Sequence, residues 1–376
     1  MKNKFKTLFV LTMCLFAIIS FFSIPRALAH AETSAKAMCV IDALSGRVLY
    51  SKNENQKLPM ASTTKIVTAL TVLNNCANID REILIDDRAV GIPGTSIYLK
   101  HGEKMTVREL LYGMMLPSGN DSATALAYYV AKDIPAFCAL MLKTAQECGA
   151  FNSHFDNPHG LDSQNHYTTA KDLALITAKA LQNDVFKEIV TTKVKRIKGS
   201  AEGTYRYLKN KNRLLNTLEG CIGVKTGYTG KAGRCFVGAC ERDGFRTVGV
   251  ILNCGPMFED CSELLNRAYV EYKQITLLPE YKQIRRIQVE EGKEPFVKTF
   301  TKRGFVYPLT KEEVSRVIIK YNMPNVLTAP VNLEQYVGDV QIYLDNCLLF
   351  SEKIYTMNSV KKIGVWSSVQ DILTQW

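Results

Sequence analysis

A serine and a lysine three residues apart, in Ser62-Thr63-Thr64-Lys65, are the pair in this chain best suited to covalent chemistry. A serine hydroxyl is a weak nucleophile at its own pKa and needs a base within hydrogen-bond reach. Positions i and i+3 of a helix are neighbours, about 5–6 Å apart at Cβ. A helix opening at Ser62 therefore sets the Lys65 amine against the hydroxyl. The amine accepts a proton only when it is neutral part of the time, and burial or a nearby cation moves its pKa in that direction. The free N–H groups of the same helix N-terminus suit a developing oxyanion.

Two further segments supply what the pair lacks. Ser118-Gly119-Asn120 reads as a tight turn between two helices, with Gly119 giving the permissive backbone. The Ser118 hydroxyl can relay a proton between Lys65 and a leaving amine. The Asn120 amide can hold either Lys65 or a peptide carbonyl of the substrate. Lys225-Thr226-Gly227 reads as the end of a strand. Lys225 is a candidate neighbouring cation for Lys65, and with Thr226 it offers charge and hydroxyl to a substrate carboxylate. Gly227 permits close approach, and the Tyr228 N–H is a second oxyanion donor. An edge strand there would pair with an extended peptide by main-chain hydrogen bonds. Each segment alone is common, and Ser359-Val360-Lys361-Lys362 repeats the first spacing by chance. Order and context give the set its weight.

The elements that must hold these residues follow from the pattern. Strands are predicted at 37–42 and 47–51 as a hairpin, and helices at 62–73, 121–132 and 169–182. Thr106-Val107-Arg108-Glu109 is a capping box opening a helix to about 115. Pro135 stands in the first turn of a helix that stops at Gly149. Strands at 222–226, 234–241 and 245–252 are joined by short turns, which implies antiparallel pairing. A helix is predicted at 257–277. Beyond 278 come short β-like runs at 285–289, 296–300, 316–321, 337–344 and 347–355. The stretch 360–376 is amphipathic at helical spacing, with Trp366 and Trp376 on its apolar side. The polar loop 152–162, with His154 and His159, is expected to be structural and to border the cleft; His101 and His166 are expected on the surface.

The chain has 376 residues, enough for two domains, and its 47% hydrophobic and 22% charged content is that of a globular protein. The first residues differ. Lys2, Lys4 and Lys6 precede an apolar run, followed by the small-residue cleavage patterns ending at Ala29 and Ala31. Residues 1–31 are therefore expected to be a secretory signal peptide. They hold four cations and no acid, so the formal charge of +11 falls to +7 in the mature chain. A basic surface suits anionic wall polymers or lipid head groups, and no aromatic-interleaved basic stripe suggests nucleic acid. Ten cysteines remain after residue 31; Cys39, Cys138, Cys235 and Cys347 sit in apolar runs and are expected buried. There is no C-x-x-C and only five scattered histidines, so no metal or other cofactor is expected.

With these motifs the chain resembles the D-alanyl-D-alanine carboxypeptidases, the low-molecular-mass serine penicillin-binding proteins. The resemblance rests on Ile41-Asp42-Ala43-Leu44-Ser45-Gly46, Pro59-Met60-Ala61-Ser62, Leu116-Pro117-Ser118-Gly119-Asn120-Asp121, His159-Gly160-Leu161-Asp162 and Gly223-Val224-Lys225-Thr226-Gly227-Tyr228-Thr229. It implies that Ser62 forms the acyl-enzyme, Lys65 accepts the proton, Ser118 shuttles it and Lys225 binds substrate. It implies an exported enzyme that trims D-alanine from peptidoglycan stem peptides, is inhibited by β-lactams, and contacts the membrane surface through its last helix. The implied fold is α+β: a β-lactamase/transpeptidase-like domain, an antiparallel sheet flanked by helices, at 32–277, a small all-β domain at 278–358, and the amphipathic helix at 359–376. Some members carry an arginine before the K-T-G strand, where Lys211 stands here. Others carry one after the last sheet strand, where this chain reads Asn253-Cys254-Gly255-Pro256. The grip on the terminal carboxylate is thus left open. Two rival readings are a class A-like β-lactamase, whose usual Glu-x-x-x-Asn loop pattern is missing between Asp121 and Val224, and an inactive penicillin-binding module.

Overall fold

The computed structural model of the protein describes residues 33–364; the predicted signal peptide lies outside them. Five strands carry the larger part: β1 (Ala37–Asp42), β2 (Val48–Lys52), β3 (Cys221–Thr229), β4 (Gly233–Arg242) and β5 (Phe245–Leu252). They form one antiparallel sheet in the order β2-β1-β5-β4-β3. β3 is an edge. β1 is buried along its whole length because the sheet is covered on both faces. Its side chains alternate, as strand geometry requires. Ala37, Cys39 and Ile41 enter the core beneath the main helices, while Met38 and Val40 enter a second core beneath the helix Met257–Glu271.

The first core is built from α1 (Lys65–Asn75), α2 (Val107–Met115), α3 (Asn120–Ala131), α4 (Ile134–Glu147), α5 (Ala170–Ala180) and α6 (Asp184–Thr191). The starts of α2, α4, α5 and α6 are capped by a local side chain. At α2, Thr106 Oγ1 accepts from the Glu109 N–H at 3.1 Å, and Glu109 Oε2 accepts from the Thr106 N–H at 3.0 Å. Asp133 accepts from the Ala136 N–H at 2.7 Å ahead of Pro135. The Ser62 segment departs from expectation. Ala61–Thr64 is a 3-10 turn, and the α-helix begins at Lys65 rather than Ser62.

The helix predicted at 257–277 also ends early, as α7 (Met257–Glu271). Lys273–Leu278 is a strand paired antiparallel with Phe305–Leu309. Tyr272 and Leu278 are buried there, and the β-branched Ile275 and Thr276 suit the pleated surface. Beyond it lies a six-stranded sheet in the order Val317–Asn322, Tyr336–Leu344, Cys347–Thr356, Phe296–Thr301, Arg285–Glu290, Val326–Thr328. Its core holds Ile287, Val297, Val340, Ile342 and Ile354. Arg47 clasps the two parts. Its guanidinium is ion-paired with Glu313, donates to Pro308 O, and lies 5.3 and 5.0 Å from the ring centres of Tyr272 and Tyr307.

Part of the stretch predicted as the terminal helix falls at 365–376, outside the described residues. The part before it is extended. Val331 and Val360 exchange main-chain hydrogen bonds at 2.9 Å, and the Ile363 N–H donates to Glu291 O at 2.8 Å. All ten described cysteines are free. Cys39, Cys138 and Cys235 are buried, but Cys347 is exposed, because it follows the tight turn Asp345-Asn346 at the rim of the six-stranded sheet.

Candidate active site

The 3-10 turn explains how Ser62 meets Lys65. In that geometry side chains at i and i+3 eclipse. Lys65 Nζ accordingly lies 2.9 Å from Ser62 Oγ. The amine is fully buried and has two other partners: Asn120 Oδ1 at 2.7 Å and the carbonyl of His159 at 2.7 Å. Asn120 is the first residue of α3. Its Nδ2 donates to Pro93 O at 2.6 Å, so of the two roles open to this amide the structure gives it the hold on Lys65.

Ser118 sits just before α3 with φ of 75°, a left-handed backbone in a non-glycine residue. Its hydroxyl has no hydrogen-bond partner among the described residues. On β3, Lys225 is fully buried, and its Nζ donates to Thr226 O at 3.0 Å. The strand does not end there as predicted but runs on to Thr229. Gly227 abuts the Ser62 turn: a Cβ on it would stand 3.0 Å from both Met60 O and Ser62 N. Ser62, Ser118, Thr226, Gly227 and Tyr228 line one cleft of ≈ 680 Å³. Lys65, Asn120 and Lys225 lie buried immediately behind them. All eight predicted site residues are thus brought to one place.

Several neighbours were not foreseen. Thr95 and Arg234 line the cleft; Lys211, singled out in the sequence by its place before the K-T-G strand, lines it too. His166 is buried rather than on the surface. Its Nδ1 accepts from the Asp156 N–H at 3.0 Å, so Nε2 carries the proton and donates to Thr64 Oγ1 at 2.8 Å. Burial holds its pKa down to about 4 and keeps it neutral. His159 is likewise pushed down to about 3, by burial first and then by Lys65. Only its main-chain oxygen faces the amine. Gly160 beside it has φ of +91°, and a Cβ there would lie 1.9 Å from Ala61 O. These contacts left little trace in the sequence, because a carbonyl ligand can come from any residue type.

The electrostatics follow from burial. Desolvation puts the Lys65 pKa well below its ordinary value, and the Lys225 and Lys211 cations push the same way, against Asp121. Burial, then Lys211, lowers Lys225 to about 7. A neutral Lys65 has two N–H groups and one lone pair. Asn120 Oδ1 and His159 O are pure acceptors and take the two N–H groups. The lone pair is left facing Ser62 Oγ, which then donates. This arrangement can draw a proton from the serine as it attacks a carbonyl carbon.

The same burial makes stability depend on pH. From about pH 7 to 10.5 the unfolded chain holds a proton on Lys225 that the folded chain lacks, so stability rises with pH through that window. Lys225→Met should lessen the rise by as much as about 5 kcal/mol, at about 1.4 kcal/mol for each pH unit of the window. Urea midpoints at the two ends of the window measure it, and an undiminished slope would assign the effect to other groups.

Residues 25–255 match the D-alanyl-D-alanine carboxypeptidase family, and residues 272–362 match the penicillin-binding protein 5 C-terminal domain. The D-alanyl-D-alanine carboxypeptidase DacF of Bacillus subtilis is 28% identical over 358 residues, covering 93% of this chain and 91% of that protein. The crystal structure of penicillin binding protein 5 from Haemophilus influenzae superposes with a TM-score of 0.73 at 26% identity, covering 88% of this chain and 98% of the other. That of the D-alanyl-D-alanine carboxypeptidase DacD from Francisella tularensis gives 0.69 at 27% identity, with 89% and 95% covered. With the first of these matches spanning most of the chain and the cleft assembled from its motifs, the protein belongs to the D-alanyl-D-alanine carboxypeptidase family and is a serine carboxypeptidase.

Proposed function

We propose that the mature protein acts outside the cytoplasm, removing the terminal D-alanine from peptidoglycan stem peptides through an ester on Ser62, and that penicillins trap the same serine. Ser62 Oγ attacks the carbonyl of the penultimate D-alanine and its proton passes to Lys65 Nζ. The N–H groups of Ser62 and Tyr228 receive the oxyanion. The C–N bond breaks, and the leaving amine takes its proton through Ser118 Oγ. Water then attacks the ester, giving its proton to Lys65 in turn, and restores the serine.

The observation that carries this reading is the Lys65 amine held by two pure acceptors with its remaining site on Ser62 Oγ. The D-alanyl-D-alanine carboxypeptidase relatives support the substrate, and the Haemophilus penicillin binding protein supports β-lactam capture. No carboxylate among the described residues lines the cleft, in keeping with slow hydrolysis of a penicillin ester. The basic, apolar start of the chain supports export. The amphipathic spacing of 360–376, with Trp366 and Trp376, supports contact of the C-terminus with a membrane surface.

Incubated with a pentapeptide ending in D-Ala-D-Ala, the mature protein should release one free D-alanine per peptide and leave a tetrapeptide, as amino-acid analysis and mass spectrometry would record. Penicillin labelling of Ser62 with no D-alanine released would replace the peptidase by a binding module.

A further inference from the structure

A peptide ending in D-Ala-D-Ala brings a negative charge into the cleft one residue beyond the bond to be cut, about 3.8 Å further along the chain. The loop 253–256, which follows the last sheet strand, holds no cation to meet it. We propose that Arg234 receives the substrate's terminal carboxylate, an assignment that rests on the peptidase reading above.

Strand register places it. Tyr228 pairs with Arg234 and Thr226 with Phe236, and cross-strand partners share a face. Arg234 is therefore the diagonal neighbour of Thr226, within reach of a long side chain, and both line the cleft beside Ser62. Arg234 makes no ion pair among the described residues. Its Nη1 donates to Gly255 O at 3.3 Å. The loop that lacks a cation thus supplies a carbonyl that steers one from the strand. The other N–H groups of the guanidinium stay available as a fork that matches a carboxylate.

The nearby acids have other partners. Glu259 pairs with Arg213 at 3.1 Å, Asp260 accepts from Thr33 Oγ1 at 2.6 Å, and Asp162 accepts from Thr229 Oγ1 at 2.8 Å. The other cations are placed differently. Lys225 is buried against a main-chain carbonyl. Lys211 points at Thr95 Oγ1, 3.5 Å away, and its charge acts on both Lys65 and Lys225. Lys211 is thus coupled to the two buried amines, whereas Arg234 reaches the cleft from β4, beside Thr226.

The test compares substrates with and without the charge. Arg234→Ala should lower kcat/KM for an N-acylated D-Ala-D-Ala peptide about 10- to 100-fold, the loss expected for a charge-assisted hydrogen bond. The same peptide as its C-terminal amide should change less than about twofold, and Arg234→Lys should recover part of the acid preference. The contrast is read again on Ser62 acylation by a penicillin and by its methyl ester, followed by intact mass. An unchanged acid-to-amide ratio would overturn the assignment, as would equal losses on both, which mark a structural role. The acylation arm reports on Arg234 even if no D-alanine is released. A parent protein never labelled at Ser62 would instead remove the peptidase reading, and the Arg234 assignment with it.

Discussion

Ser62→Ala will release no D-alanine from a D-Ala-D-Ala peptide and will take no label from penicillin. Both processes begin with the same bond, from Ser62 Oγ to a carbonyl carbon, and removing the nucleophile of such a site costs on the order of 10⁴-fold or more. The fold should be indifferent. The residue is only partly buried, at the mouth of the cleft. Lys65 loses one partner at 2.9 Å and keeps Asn120 Oδ1 and His159 O. Unfolding midpoints of parent and variant should agree while activity vanishes. Covalent penicillin on the variant would move the nucleophile elsewhere.

Lys65→Ala should slow acylation by about 10²- to 10⁴-fold, the range a positioned base contributes. Here the structural side is less simple. The change strands Asn120 Oδ1 and His159 O in a buried site, at a cost of about 1–3 kcal/mol. It also relieves the burial of an amine whose lowered pKa records its desolvation. The two effects oppose each other, so the variant should stay folded. In the parent, the acylation rate should rise with pH as Lys65 loses its proton and fall as it regains it. Stopped-flow acylation by a chromogenic β-lactam across pH, with a thermal midpoint as control, checks both. Acylation within tenfold of the parent would transfer the base role away from Lys65.

The cleft was legible in the sequence because its chemistry sits in side chains at fixed spacing. Ser62, Lys65, Ser118, Asn120 and the segment from Lys225 to Tyr228 meet where the three motifs meet. The helices around them were legible where a capping box or a first-turn proline marks the start, as at Thr106 and Pro135. What could not be read was set by partners distant in the chain. His166 looks like a surface histidine until Thr64 and the Asp156 N–H close around it. Arg234 becomes a cleft residue only through its register opposite Tyr228. Lys273–Leu278 continued a helical pattern on paper, but its backbone found Phe305–Leu309. Val326–Thr328, three mostly exposed residues, carries no alternation from which a strand could be read.

Gly160 and Gly227 close on the nucleophile turn from two sides with bare main chain. A side chain in either spot would have to displace peptide oxygens and nitrogens of residues 60–63, which cannot rotate aside as a flexible side chain can. The place of the serine is therefore fixed by bare main chain on both sides, which no substitution can thin further. Drift has no gradual route for relocating the serine itself.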